Sequence, residues 1–107
     1  MKKTGSVVRS QFFTIVYSRV QKCLLPRVGV VVGRHVGKAV TRNRLKRITR
    51  ELVRASYSDM VPGHHCIVYP QVKIISSKFT DVEMVWNKML RQIGMLQSEV
   101  EKNDLGF

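Results

Sequence analysis

Nine consecutive residues, Arg42-Asn43-Arg44-Leu45-Lys46-Arg47-Ile48-Thr49-Arg50, hold five cations. Like charges three and four apart destabilise a helix by about 0.2–0.5 kcal/mol per pair, so folding alone does not ask for this density. A polyanion offsets the cost, and a phosphate backbone is the obvious one. From Arg34 to Arg54 eight Lys and Arg, among them Arg34, Lys38 and Arg54, stand against a single acid, Glu51. An ordinary solvated helix face mixes its signs, which favours nucleic-acid binding over a bland charged surface. Lys and Arg point to phosphate contacts rather than base readout. Asn43 is the exception, since its amide both donates and accepts and can fix a base or a sugar.

Other chemistry is scarce. His64-His65-Cys66 is the one cluster of metal-binding types, and on a strand only His64 and Cys66 share a side. Two ligands do not make a zinc site; a reduced core thiol beside loop histidines is the simpler reading. Glu51, Asp59, Asp81 and Glu83 show no paired spacing, and Glu99, Glu101 and Asp104 fall near the C-terminus. No nucleophile with its base stands out, so no catalytic residue is assigned. Gly33 and Gly37 frame a strand-to-helix turn and are read either as an amide nest for phosphate or as turn glycines with φ > 0. The Gly-Lys-Ser/Thr ending of a phosphate-binding P-loop is missing.

The whole chain carries the same bias. Its 107 residues have a formal net charge of +12, yet 44% are apolar, enough for one folded domain with a modest core. Such a balance points to nucleic acid before an anionic membrane. The longest apolar runs are strand-length, far short of the roughly 20 residues of a spanning helix. Arg9, Gln11, Ser18 and Arg19 interrupt any secretory signal. The protein is expected in the cytoplasm, away from membranes.

Which elements would position the basic run? Phe12 to Tyr17 alternates and is rich in aromatic and β-branched residues, a strand with a shorter one before it over Gly5 to Arg9. Phe12, Phe13 and Tyr17 offer a stacking platform for single-stranded bases on whichever face stays open. Arg27 to Val32 is near-continuously apolar and reads as a strand buried on both faces. A helix follows from about Lys38 to Tyr57, with Leu45, Ile48, Leu52 and Ala55 as its apolar stripe and the cations opposite. Cys66 to Tyr69 is another strand. A last helix opens around Ser76 to Thr80, where Thr80 and Glu83 make a capping box, and buries Val82, Val85, Trp86, Met89, Leu90 and Ile93. Residues 1–97 form one domain and 98–107 a polar, frayed tail. The fold class is α+β: a small mixed sheet with a basic crossover helix and a C-terminal helix.

At Lys38-Ala39-Val40-Thr41-Arg42-Asn43-Arg44-Leu45-Lys46-Arg47-Ile48-Thr49-Arg50-Glu51, following the strand Arg27 to Val32, the chain resembles the bacterial ribonuclease P protein subunit. Weaker similarity runs over Gly5 to Tyr17 and Pro62 to Tyr69. The resemblance implies a ribosomal protein S5 domain 2-like fold with a left-handed β-α-β crossover, against the usual right-handed rule. It also implies a partner role in a ribonucleoprotein. The RNA subunit carries out a Mg²⁺-dependent hydrolysis that removes the 5′ leader of precursor tRNA, and the protein alone holds no cofactor. Carried over, Arg42, Asn43, Arg44, Lys46, Arg47 and Arg50 would contact the catalytic RNA, with Arg34, Lys38 and Arg54 added from the charge pattern. Phe13 and Tyr17 would line the leader cleft. The two partners would be ribonuclease P RNA and precursor tRNA, with no protein partner required.

There are departures. The resemblance implies a further N-terminal helix, and no counterpart to it is expected in the few residues before the first strand. Gly33-Arg34-His35 stands where relatives often carry Ser-Lys-Lys, and Gln71 replaces a common basic residue. These changes bear on leader binding more than on the RNA subunit. Two other readings use the same basic helix: a ribosomal-type structural RNA-binding protein without a role in cleavage, and a DNA-binding regulator. The latter lacks a helix-turn-helix pair or a dimer zipper.

Overall fold

The computed structural model describes residues 5–19 and 25–96. Four strands and two helices follow one another as β1 (Ser6–Arg9), β2 (Phe13–Arg19), β3 (Arg27–Val30), α1 (Ala39–Tyr57), β4 (His64–Pro70) and α2 (Phe79–Ile93). Short 3-10 turns at Arg34–Val36 and Val72–Ser76 lead into α1 and α2. The tail expected over 98–107 lies outside the described residues.

The sheet order is β1-β2-β4-β3. β2 pairs antiparallel with β1 and β4, whereas β3 runs parallel to β4, and α1 is the crossover between those two. A parallel pair needs such a long connection, because a tight turn reverses the chain. At the β1–β2 turn, the backbone N–H groups of Phe12 and Phe13 both donate to Ser10 Oγ at 3.2 Å. This is a small α+β fold with a mixed sheet, as the pattern of elements implies.

Register decides which side chains face the helices. Phe13, Ile15 and Tyr17 of β2 stand opposite Pro70, Val68 and Cys66 of β4. Val28 and Val30 of β3 pair with Cys66 and Val68 and so share that face. Phe13, Ile15 and Val68 are fully buried there, beneath Leu45 and Leu52 of α1 and Val82, Trp86 and Leu90 of α2. The opposite face carries Val7, Ile67 and Tyr69, all exposed. Both helices therefore cover one side of the sheet.

Three expectations change. The buried stripe of α1 is Leu45, Thr49, Leu52 and Ser56, with Ile48 half-buried and Ala55 exposed. Two hydroxyl residues can sit there because each donates to the carbonyl one turn back: Thr49 to Leu45 at 2.8 Å and Ser56 to Leu52 at 2.9 Å. These bonds satisfy the buried oxygens, so polarity does not expel them from the core. The Thr80–Glu83 capping box is absent. Helix α2 begins at Phe79 behind an N-cap Lys78 that makes no side-chain cap bond, so Thr80 already lies inside it. Finally β3 is an edge strand, and its valines are half-buried rather than covered on both faces. At the far end α2 stops at Gly94, whose φ of 90° places it in the left-handed region that glycine adopts freely.

Candidate nucleic-acid interface

The entry to α1 is built from the glycines on either side of Arg34-His35-Val36. Gly33 has an extended φ of −75°, which any residue adopts, but a Cβ there would meet the His35 imidazole at 2.7 Å. Gly37 has φ 152°, a conformation that L side chains rarely hold. The turn-glycine reading thus applies to Gly37, and close approach explains Gly33. One guanidinium nitrogen of Arg42 donates to the Gly37 carbonyl at 2.8 Å, tying the first helical turn to the loop. Arg42 is consequently half-buried and partly structural. The first turn contains no acid, and Lys38 supplies no side-chain cap. Its outward amides and the positive end of the helix dipole add to the side-chain charge.

Asn43, Arg44, Arg47, Arg50 and Arg54 are exposed, Lys46 is half-exposed, and Arg34 and Lys38 are exposed ahead of the helix. Asn43, Lys46, Arg47, Arg50 and Arg54 line one furrow of about 270 Å³ along the outer side of α1, with Glu51 as its single acid. Of the eight cations singled out from the sequence, the structure therefore leaves Arg34, Lys38, Arg42 and Arg44 outside this furrow and brings together the other four, Lys46, Arg47, Arg50 and Arg54, with Asn43 among them. They are held by the buried stripe behind them, so their spacing is fixed by a helix rather than by a loop. Guanidinium groups at helical spacing can meet successive phosphates, each as a planar fork of donors.

Val40 escaped the sequence reading. It is 78% exposed and shares a hollow with Asn43, Arg44 and Arg47. An apolar side chain amid cations offers contact to a ribose or a base. The signal was present in its position, off the buried stripe.

The aromatic residues fall differently. Phe13 is fully buried, its ring meeting Trp86 edge-on with centroids 5.3 Å apart. It has no face left for a base, which corrects its placement in a leader cleft, and Phe12 is buried as well. Tyr17 is half-buried on the core side of the sheet and lines a cavity of about 440 Å³ with Ser18, Arg19 and His64, away from the outer sheet face. The aromatic residue on the outer face is Tyr69, beside Thr14 in register and near Ile67 and Val7. Arg9 and Arg27 are exposed on that same face.

Among the described residues no group of three or more His, Cys, Asp or Glu could hold a metal ion. Burial pushes the Cys66 thiol up to about 11, which keeps it protonated and inert. His64 is held below the ordinary histidine value, first by burial and then by the Arg19 charge. No described helix is long and apolar enough to cross a membrane.

The Ribonuclease P family profile matches residues 1–94. The ribonuclease P protein component of Thermotoga petrophila is 31% identical over 97 residues, covering 89% of this chain and 81% of the relative. That of Carboxydothermus hydrogenoformans is 24% identical over 100 residues, covering 92% and 84%. The solved RNase P protein of Thermotoga maritima superposes with a TM-score of 0.73 at 26% identity, over 82% of this chain and 83% of its own. A Staphylococcus aureus RNase P protein mutant shares the fold with a TM-score of 0.74 at 21% identity, over 86% and 77%. With the profile matched over residues 1–94 and a relative 31% identical across most of both chains, the chain belongs to the ribonuclease P protein family.

Proposed function

We propose that this chain is the protein subunit of a cytoplasmic ribonuclease P, binding the catalytic RNA through α1 and the 5′ leader of precursor tRNA through the sheet. Membership of the family carries the first half of the statement. The observation that supports RNA binding through α1 is its exposed cationic furrow, which no packing among the described residues uses. Phosphodiester hydrolysis, giving mature tRNA 5′ ends, belongs in this reading to the RNA. Guanidinium and ammonium groups do not ligate Mg²⁺, so the metal is placed with the RNA and no step runs through a protein-held ion.

What the side chains do is electrostatic. Substrate and catalytic RNA repel each other, and a layer of fixed cations lowers that repulsion most where water is displaced. Binding releases condensed counterions, so affinity falls steeply with salt. The leader contact is assigned to the outer sheet face around Tyr69 and Ile67, because there an exposed aromatic ring shares an open face with the exposed cations Arg9 and Arg27. Stacking on such a ring tolerates any base, as a leader of varied sequence requires.

The deciding experiment mixes the protein with its cognate RNA and precursor tRNA at low Mg²⁺. Faster cleavage than with RNA alone is the expected result. Binding without faster cleavage would instead favour a structural RNA-binding protein, a reading that the same furrow serves equally well.

A further inference from the structure

The register of β3 leaves a slot that the folded core does not fill. Val28 and Val30 face the helices beside the buried Cys66 and Val68. Because β3 is the sheet edge, α1 only partly covers them. Between the strand and the helix remains a cavity of about 520 Å³, floored by Val28, Val30 and Val53 and rimmed by Arg50, Arg54 and Tyr57. Tyr57 is 39% exposed, yet its hydroxyl donates to the Pro26 carbonyl at 2.9 Å, which fixes the ring as an end wall. No acid among the described residues lines the slot.

We infer that this slot receives one unstacked base of the bound RNA, with a flanking phosphate on Arg50 or Arg54. The inference rests on α1 being an RNA-binding surface and names a subsite of it. Two observations carry it. Arg50 and Arg54 line both the slot and the furrow formed with Asn43, Lys46 and Arg47, so a backbone tracked along the furrow reaches the slot mouth. The floor is apolar and one wall is aromatic, which suits the flat face of a base, while the cationic rim suits its phosphate. Bases in loops and bulges of RNA are splayed out and available for such insertion. An acidic peptide pairing with the β3 edge is the competing occupant. A strand of four residues offers it few ladder bonds, and the arginines continue toward the furrow rather than along the strand.

The test uses the whole chain labelled at backbone amides and at methyl groups. It is titrated with a short single-stranded RNA, with an abasic ribose-phosphate strand of equal length, and with an acidic peptide. The methyls of Val28, Val30 and Val53 should shift with the RNA and stay still with the abasic strand, while the amides from Asn43 to Arg47 shift with both. Responding amides with unmoved methyls overturn the slot and leave the furrow intact. Silence at both overturns the slot together with the RNA-binding reading. Methyl shifts with the peptide in place of RNA also overturn it and assign the slot to a protein partner. A filled slot gives a second measure. Val30→Trp, checked for an unchanged circular dichroism spectrum, should weaken RNA binding about tenfold with an unaltered salt slope, since the lost contact is stacking rather than charge. Undiminished affinity in that folded variant sinks the inference.

Discussion

The Trp86 indole N–H donates to Ser56 Oγ at 3.1 Å, joining α2 to α1 in the middle of the core. The Ser56 hydroxyl in turn donates to the Leu52 carbonyl at 2.9 Å, so one hydroxyl satisfies a buried donor and bonds a helix oxygen together. The basic furrow stands on the other side of that same helix turn. Anchoring α1 at Ser56 therefore sets the angle at which Arg50 and Arg54 are presented.

Ser56→Ala strands the indole N–H in an apolar site. Leaving a buried donor unpaired costs about 1–3 kcal/mol. Urea denaturation should show that loss, and Ser56→Thr, which keeps the hydroxyl, should recover part of it. An alanine variant as stable as the parent would mean that Trp86 finds another acceptor.

Phe13 makes a sharper distinction, because a cleft residue and a core residue fail in different ways. Phe13→Ala should cost about 3–5 kcal/mol of stability, as truncation of a fully buried aromatic does. Tyr69→Ala, on the outer face, should lower stability far less and weaken leader binding by about 1–3 kcal/mol if a base stacks on the ring. The comparison needs precursor tRNAs with and without a leader, and only the one with a leader should respond to Tyr69→Ala.

Phe13 lies on the covered face of the sheet and not in an open cleft, and its burial depends on information that the local sequence does not hold. The alternation Phe13-Ile15-Tyr17 reveals a strand with two faces but not which face the helices cover. That depends on β4 pairing with both β2 and β3, a long-range fact. The edge position of β3 was hidden for the same reason. The stripe of α1 was misjudged at Thr49 and Ser56 because their hydroxyls bond locally to carbonyls, which no hydropathy pattern records. By contrast the span of α1 and its cationic face were legible in full, since charge spacing on a helix needs no tertiary information. The slot was not, being made from Val28 and Val30 on a strand and Val53 and Tyr57 on a later helix.

His64 supplies a pH dependence. It is buried, and among the described residues its Nδ1 has no hydrogen-bond partner and the cavity beside it is lined by Arg19, Tyr17 and Ser18 with no carboxylate. Burial first and the Arg19 charge second lower its proton affinity in the folded state. The unfolded chain then binds more protons at mildly acidic pH, so stability is full above the ordinary histidine value of about 6.5 and falls as pH drops through it. The fall ends below the depressed folded value. Denaturation midpoints at neutral and mildly acidic pH should diverge in the parent and converge in His64→Leu. Equal divergence in both would assign the loss to other groups.

Cys66 should be silent toward thiol reagents in the folded protein. Burial raises it from 9.0 to about 11, which cuts the thiolate fraction near neutral pH about a hundredfold. In a Cys23→Ser background, labelling should be slow in buffer and rapid in denaturant. Fast labelling of the folded chain would show that β4 opens on the timescale of the assay.

The furrow itself is tested most directly by salt. Arg44 and Arg47 are exposed on the outer side of α1, away from the buried stripe, so removing either should leave folding intact. Each phosphate contact contributes about 0.7–0.9 to the slope of log affinity against log salt. Arg44→Ala and Arg47→Ala should therefore weaken binding of the catalytic RNA and each flatten that slope by about one. Arg42→Ala should behave otherwise. Its guanidinium is bonded to the Gly37 carbonyl, so its loss should loosen the entry to the helix and lower stability as well as affinity. Unchanged slopes in the Arg44 and Arg47 variants would move the RNA to another face, and the exposed cations Arg9 and Arg27 on the outer sheet face would be the next to remove.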